Sequence, residues 1–265
     1  MRVLVLGYIV RGPLGGYAWH HAQYVLGLAQ LGHDVYFLED SDDFESCYNP
    51  TKFEMSADPT YGLAFTKNFF AHLGLPDRWA YYDAHTATWH GPAARKIDEL
   101  RRTADICLNV SRVNPLRDWM MNIPVRVLID TDPVFTQVRH ICDRQALRSA
   151  LRHNAFFTFG ENFGRADCSM PDDGLPWQRT RQPIALDAWQ VTPGPRDGSF
   201  STIMQWESYP PVTYDGRTYG MKSETFPPYF DLPARVQERL EVVGSARSRI
   251  SLSVFDCETV TRCSR

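Results

Sequence analysis

The chain has 265 residues, of which 43 % are hydrophobic and 13 % aromatic, and its formal net charge is −3. This length buries the core of one large domain, or of one domain and part of a second. Because the charge is nearly balanced and the basic residues are scattered, the chain lacks the basic patch that is typical of nucleic-acid-binding proteins. We therefore expect no nucleic-acid partner.

The amino-terminal segment MRVLVLGYIV is apolar, but Gly7 interrupts it and no small-residue cleavage pattern follows, which favours a buried strand over a signal peptide. No apolar run approaches the roughly 20 residues that a membrane-spanning helix needs. The six cysteines form no CxxC pair, and a chain of this length does not depend on disulfides. These features predict a cytoplasmic protein with reduced thiols and without a membrane span.

Short apolar runs alternate with longer helical patterns over about residues 1–190. Each run is continuous in apolar residues, which is typical of strands covered on both faces of a parallel sheet. The predicted strands are RVLVLG (2–7), DVYFLE (34–39), DICLNV (105–110), VRVLID (125–130) and AFFTFG (155–160). The alternation predicts an α/β domain with a doubly wound, parallel, Rossmann-like sheet.

The intervening segments 15–33, 60–75, 91–104 and 134–154 have the length and period of helices. In the first of them, a stripe that can lie on a sheet is formed at i, i+3, i+4 and i+7 by Ala22, Val25, Leu26 and Ala29. Residues 77–91 fit either an additional strand or an irregular excursion, and the pattern does not decide between them.

The composition of the sequence changes after about residue 190. Residues 191–198 are a linker by composition, rich in proline and glycine. Residues 199–243 are predicted to begin an incomplete second domain, with a strand in FSTIMQWESY (200–209) and turns in PPVTYDGRTYG (210–220). Residues 244–265 lose the apolar period and are expected to form an irregular or disordered tail.

Every predicted strand of the first domain is followed by polar or glycine residues. Ligands of open parallel sheets bind beyond the carboxyl ends of the strands, near the point where the strand order reverses. The alternative is that strand ends are merely solvated. After the glycine-rich loop, the polar residues in question are Glu39, Asp40, Ser111, Arg112, Asn114, Asp130, Thr131, Asp132, Glu161 and Asn162.

The loop GYIVRGPLGGYAWHH (7–21) connects the first strand to the first helix. Gly7 and Gly12 have the first spacing of a phosphate-binding P-loop, but Pro13 follows where the motif requires lysine, and the dinucleotide fingerprint GxGxxG is absent. What remains is Gly15-Gly16 opening a helix, which allows a ligand close to the free backbone N–H groups. The alternative is a tight turn that merely needs glycine.

His20 is expected in the first turn of this helix, on the side away from the apolar stripe and directed toward the crevice. A helix start disfavours the imidazolium, so a neutral His20 could accept a proton from a substrate hydroxyl. The alternative is an ordinary surface or capping histidine. The remaining histidines have no spacing that completes a ligand set, and we therefore expect no metal site.

The segment GGYAWHHAQYVLGLAQLGHDVYFLE resembles the amino-terminal part of GT-B type glycosyltransferases, which are built from two Rossmann-like domains. The resemblance rests on a GGxxxH stretch, a following Leu-Ala pair and a terminal GH-x-V, at Gly15, Gly16, His20, Leu28, Ala29, Gly32, His33 and Val35. Residues 157–189 and 204–233 look like a bacterial branch of such proteins. The likeness covers about residues 1–235.

The resemblance implies that the first domain holds a hydroxyl-bearing acceptor and that the second binds a nucleotide-sugar donor, without a cofactor or metal. It implies that Gly15 and Gly16 approach the donor phosphates or the acceptor, and that His20 contacts the reacting centre. From their position alone, we expect the acceptor-side polar groups to be Asp130, Asp132, Glu161 and Asn162.

A donor domain requires about 100–200 further residues. We therefore expect the chain to be an incomplete transferase, and the change in composition after Leu240 fits a frameshift or early stop. Two hypotheses follow: a glycosyltransferase, which is inactive if the missing donor domain is essential, or a non-catalytic Rossmann-like module that binds a ligand without transferring it.

Overall fold

A computed structural model describes residues 1–204, 206 and 210–244, and the chain divides into two units, Met1–Trp189 and Gln190–Arg265. Apart from Gly244, the predicted tail (244–265) lies outside the described residues, as do positions 205 and 207–209 of the predicted strand 200–209.

The first unit contains ten strands, five of which run nearly as the sequence predicts. They are β1 (Arg2–Leu6), β2 (Asp34–Asp40), β3 (Cys47–Asn49), β4 (Glu54–Ser56), β5 (Trp79–Asp83), β6 (Thr88–His90), β7 (Ile106–Val110), β8 (Val125–Asp130), β9 (Ala155–Thr158) and β10 (Gln178–Arg179). Eight of them form one sheet in the order β10-β9-β8-β7-β1-β2-β5-β6, and only β5 and β6 pair antiparallel. The predicted Rossmann-like α/β fold is confirmed, as are its five predicted strands.

The helices of this unit are α1 (Gly15–Gln30), α2 (Thr60–His72), α3 (Ile97–Thr103), α4 (Phe135–Cys142) and α5 (Arg144–Ala150). A 3₁₀ turn, Pro92–Lys96, leads into α3. The single helix predicted over 134–154 is wrong, because Asp143 has extended backbone angles and breaks it. The Asp143 carboxylate accepts hydrogen bonds from the backbone N–H groups of Gln145 and Ala146, and so starts α5.

Helices cover both faces of the sheet, because successive apolar residues of each strand point to opposite faces. On one face, α1 and α2 pack on Val3, Val5 and Phe37. On the other face, α3 packs on Leu4 and Leu6. Burial of both faces explains why the strands are continuous in apolar residues.

The buried face of α1 is shifted from the predicted stripe. Ala22 and Val25 are fully buried, but Leu26 is only half-buried, and His21 lies in the core instead. The helix begins at Gly15, so His20 lies in its second turn rather than its first.

The segment 77–91, which the sequence left undecided, forms the antiparallel hairpin of β5 and β6. A further hairpin, β3–β4, lies between β2 and α2 and was not predicted. Its strands have three residues each, too few for a recognisable alternation of apolar and polar positions.

The second unit begins with β11 (Phe200–Met204) and continues with β12 (Val212–Tyr214), β13 (Arg217–Tyr219), α6 (Lys222–Thr225) and β14 (Leu240–Gly244). The predicted strand is confirmed over Phe200–Met204, and the predicted turns form the β12–β13 hairpin. Asp215 and Gly216 both have positive φ, as the tight turn of a hairpin requires. β11 and β14 pair in parallel through a long crossover, which is typical of α/β units.

Candidate functional site

The order of the parallel strands reverses between β1 and β7. From β1 the chain proceeds to β2 and then β5 on one side, and afterwards it crosses to β7, β8 and β9 on the other. The loops that leave β1 and β7 therefore diverge and open a crevice between them. This reversal is the place where ligands of open α/β sheets bind.

A cavity of about 720 Å³ lies at this reversal, and we call it the switch-point crevice. Tyr8 and Arg11 line it from the loop after β1, and residues 111–115 line it from the loop after β7. The remaining lining residues come from the segment that contains β3 and β4 and from α4, α5 and their junction: Asp42, Phe44, Ser46, Met55, Arg139, Asp143, Gln145, Ala146 and Ser149.

Glu39, at the end of β2, fixes the loop that follows β1. Its carboxylate accepts hydrogen bonds from the backbone N–H groups of Ile9 and Val10, both at 2.7 Å, and of Arg11, at 2.8 Å. Burial raises the pKa of Glu39, while the Arg11 charge and the three N–H donors oppose that effect. The N–H groups that would cradle a phosphate in a P-loop are thus satisfied within the protein.

Asn114 and Arg117 join the loop after β7 to the ends of β1 and β2. The Asn114 amide donates to the Gly7 carbonyl at 2.8 Å and accepts from the Asp40 N–H at 2.7 Å. Arg117 donates two hydrogen bonds to the Asp40 carboxylate, at 2.8 and 2.7 Å. These contacts hold the wall of the crevice in one geometry without a ligand.

Ser111 and Arg112, directly after β7, both have left-handed backbone angles, with φ of 58° and 51°. Two successive non-glycine residues in this region cost on the order of 1–3 kcal/mol each. The Ser111 N–H donates to the Ile129 carbonyl at 2.8 Å, and Arg112 donates to the Ala146 carbonyl at 2.9 Å. Such strain concentrates at functional sites, which supports the crevice as the candidate site.

Arg112 and Arg139 bring positive charge to the crevice. Arg112 is half-buried, and burial together with the nearby charge of Arg139 lowers its pKa, while Asp143 has the opposite effect. Arg139 projects from α4 and is exposed. The sequence indicated Arg112 as a strand-end residue, but it gave no sign of Arg139, which lies 27 positions further along the chain in the middle of a helix.

Asp130 and Asp132 line a second cavity of about 280 Å³, the Asp130 cavity, which shares Ser111, Arg112 and Arg139 with the crevice. The Asp130 carboxylate is buried and accepts four hydrogen bonds, which come from the Asp132 N–H, Thr136, Gln137 and Thr158. It therefore organises the loop between β8 and α4. Asp132 lies at the rim with an exposed side chain.

His20 lies in a different place, which we call the α1 groove. This groove of about 510 Å³ runs between α1 and an extended segment, and it is lined by Trp19, His20, Gln23, Gln182, Pro183, Ile184, Leu186 and Trp189. The half-buried ring meets Tyr24 and Phe159 edge to face, with centroids 6.2 and 6.3 Å away. Burial lowers the pKa of His20, although Gln182 opposes this, so a neutral imidazole is favoured by burial and not by the helix start from which the sequence predicts it.

Gly15 and Gly16 form the exposed start of α1. A Cβ atom at either position would meet nothing within 4 Å, and no side chain caps the helix. Neither glycine has a positive φ. The fold itself therefore requires glycine at neither position, and the first-turn N–H groups are open to close approach.

Glu161 and Asn162 are exposed residues that follow β9. Glu161 forms an ion pair with Arg181 at 2.8 Å, and the Asn162 side chain accepts from Arg165 at 3.0 Å. Neither lines the crevice or the Asp130 cavity. Of the predicted site residues, the structure thus brings together Asp130 and Asp132, and it places His20, the glycine pair and Glu161 with Asn162 elsewhere.

Comparison with known proteins adds no assignment to this geometry. No protein-family model matches the chain, and no curated protein matches its sequence. Within residues 1–204, 206 and 210–244, no helix has the length and apolar character to cross a membrane. In the same part of the chain, no group of three or more His, Cys, Asp or Glu side chains is placed to hold a metal ion.

Proposed function

We propose that this chain is a glycosyltransferase-like protein that moves a sugar from a nucleotide-sugar donor to a hydroxyl acceptor. The observation that carries the proposal is the switch-point crevice, which lies where a Rossmann-like sheet binds its ligands and has a rim fixed by Glu39 and Asn114. The resemblance of the GGYAWHH segment to GT-B enzymes supports the reaction class.

His20 is the residue we propose for proton transfer. A neutral imidazole can take the proton of the acceptor hydroxyl while that oxygen bonds to the sugar carbon and the donor's nucleoside diphosphate departs. Burial supports the neutral form of His20. The open N–H groups at Gly15 and Gly16 suit an anionic group of donor or acceptor, since a helix start favours negative charge.

The alternative is a Rossmann-like module that binds a ligand without catalysis. It is favoured by one observation: His20 lines the α1 groove, whereas different residues line the crevice. A binding module needs the crevice alone. A transferase needs a substrate that reaches both places.

The location of the protein is part of the proposal. Cys47, Cys107, Cys142 and Cys168 are all free, and burial raises the pKa of the Cys47 and Cys107 thiols. Free thiols suit a reducing compartment. We therefore place the protein in the cytoplasm.

The deciding experiment measures donor binding and turnover by the purified chain. UDP-, GDP- and dTDP-sugars are titrated calorimetrically up to about 1 mM, and release of the nucleoside diphosphate is followed with and without hydroxyl acceptors. The transferase proposal requires binding and release, with release lost in His20→Ala and kept in the control His72→Ala, a histidine exposed at the end of α2.

Two outcomes would contradict these proposals. A chain that is folded by circular dichroism but binds no donor at that concentration is not a transferase by itself, and the binding module then stands. Donor turnover that survives His20→Ala reduces His20 to a structural residue.

A further inference from the structure

The arginines around the switch-point crevice differ in their partners. Arg11 pairs with Glu39, and Arg117 pairs with Asp40. Within residues 1–204, 206 and 210–244, no carboxylate oxygen lies within the 4.0 Å ion-pair distance of Arg112 or Arg139. In the described part of the chain, these two crevice arginines are thus without an ion-pair partner, unlike Arg11 and Arg117.

Arg112 and Arg139 both line the switch-point crevice and the Asp130 cavity. The charge of Arg139 is near enough to disfavour the charged form of Arg112. Arg112 is in addition held by a strained backbone and by its hydrogen bond to the Ala146 carbonyl. A fold that strains its backbone to present like charges gains stability when an oxyanion lies between them, because guanidinium groups bind oxyanions through charge-assisted hydrogen bonds.

Two carboxylates in the same lining accept hydrogen bonds from backbone N–H groups, and the Asp143 charge also acts on both arginines. Asp143 uses its side chain to accept the N–H groups of Gln145 and Ala146 at the start of α5. Asp42 accepts the N–H of Asp43 at 3.0 Å. Both are engaged with backbone donors.

The lining of the crevice also includes exposed apolar residues. Phe44 and Met55 come from the segment that contains the β3–β4 hairpin, and they are 58 % and 51 % exposed. Tyr8 lines the same crevice from the loop after β1. A crevice lined by both cations and exposed apolar side chains is complementary to a ligand with an anionic head and an apolar body.

We infer that the switch-point crevice binds a small amphipathic oxyanion, a phosphate monoester or a carboxylate, with its head on Arg112 and Arg139 and its apolar part on Phe44 and Met55. Only the role of this ligand as the sugar acceptor rests on the proposed function. The binding site itself does not.

The test uses ligands that separate head from body. Phenyl phosphate and benzoate each carry one of the two candidate head groups on a phenyl ring. Inorganic phosphate lacks the ring, and benzyl alcohol lacks the charge. We expect phenyl phosphate or benzoate to bind the full chain in calorimetry, and to bind about ten-fold or more tightly than benzyl alcohol. The tighter of the two identifies the head group.

Matched variants locate the bound ligand. Arg139→Gln removes an exposed side chain and leaves the fold intact, and it is expected to weaken the anion by about ten-fold. Arg112→Gln is expected to do the same. Arg148→Gln, on the exposed face of α5, is the control and should leave affinity unchanged. Phe44→Ser should weaken phenyl phosphate while leaving inorganic phosphate unaffected.

Three results would overturn the inference. They are the absence of binding of either ring anion to the folded chain at about 10 mM, anion binding that survives both Arg112→Gln and Arg139→Gln, and an equal loss in Arg148→Gln. None of these probes contains a nucleotide sugar. A failure of donor turnover therefore does not decide whether the anion binds, and a failure of anion binding does not decide whether the donor is turned over.

Discussion

Arg11 and Glu39 form an ion pair beneath the loop that follows β1, with Nε of Arg11 3.3 Å from a carboxylate oxygen and side chains that are only 3 % and 0 % exposed. The second function of Glu39 is to accept three successive backbone N–H groups of this loop. Arg11 in turn donates to the Val113 carbonyl across the crevice. One buried pair thus links the two loops that form the candidate site.

Glu39→Gln should therefore destabilise the fold strongly. The substitution leaves the Arg11 charge buried without its counterion and turns an amide NH₂ toward backbone donors. We expect a loss of about 3–5 kcal/mol in the free energy of unfolding, measured by urea denaturation. Glu45→Gln, at an exposed position, is the control. A loss below about 1 kcal/mol would show that the pair is not a structural anchor.

Gly15 and Gly16 allow a test that separates folding from ligand binding. Because a Cβ at either position meets nothing and φ is ordinary, alanine should stabilise α1 by up to about 1 kcal/mol. Gly27→Ala, within the same helix and equally open, is the matched control. If the helix start binds a ligand, Gly16→Ala weakens that ligand although the protein becomes more stable.

Gly27→Ala should raise the unfolding midpoint without any change in affinity. The affinity of each ligand that binds is measured for the wild type, Gly16→Ala and Gly27→Ala. If the three affinities are equal, the glycine pair is not part of the binding site.

The sequence was sufficient for the architecture because burial on both sheet faces leaves a continuous apolar signal. The run VRVLID, for example, corresponds to β8 residue for residue. The sequence analysis did not predict the helix break at Asp143, because an aspartate within a helical pattern is typical of a solvent-facing helix position. The extended backbone of Asp143 is seen only in the structure. The β3–β4 hairpin was missed because three-residue strands carry too little pattern.

The site was predictable only in part. Strand-end reasoning correctly indicated Ser111 and Arg112, because carboxyl ends of parallel strands converge. Strand-end reasoning could not show that the carboxylates of Glu39 and Asp130 accept hydrogen bonds from backbone N–H and hydroxyl groups, because these partners depend on tertiary packing. Arg139 is brought to the crevice by the packing of α4, which leaves no local signal.

Gly62 on α2 is a position where the fold does require glycine. A Cβ there would lie 1.8 Å from the Val10 carbonyl oxygen, which belongs to backbone that Glu39 holds in place. Gly62→Ala should therefore cost at least about 2 kcal/mol in the free energy of unfolding. It should also weaken crevice ligands by displacing the loop that carries Arg11. Stability and affinity equal to those of the wild type would show that α2 can move away freely.

Buried histidines predict how stability depends on pH. Burial, with a smaller effect of the neighbouring His20, lowers the pKa of His21 to about 3, and burial lowers the pKa of His153 to about 4. In the unfolded chain a histidine has a pKa of about 6.5. Below that pH the unfolded state binds protons at these histidines and the folded state does not. The free energy of unfolding is therefore not reduced by them above about pH 6.5, and it declines as the pH falls toward 4.

Each of these two histidines should contribute a slope approaching 1.4 kcal/mol per pH unit within this window, by the order of magnitude that linkage gives. His21→Asn removes one titrating group while its amide nitrogen can still donate to the Tyr17 carbonyl, as Nδ1 of His21 can at 2.8 Å. Urea denaturation between about pH 4.5 and 7 should therefore show a shallower slope for His21→Asn than for the wild type. The exposed His72→Asn is the control. An unchanged slope in His21→Asn would mean that His21 gains protons in the folded state, because only a histidine that stays neutral on folding contributes to the decline.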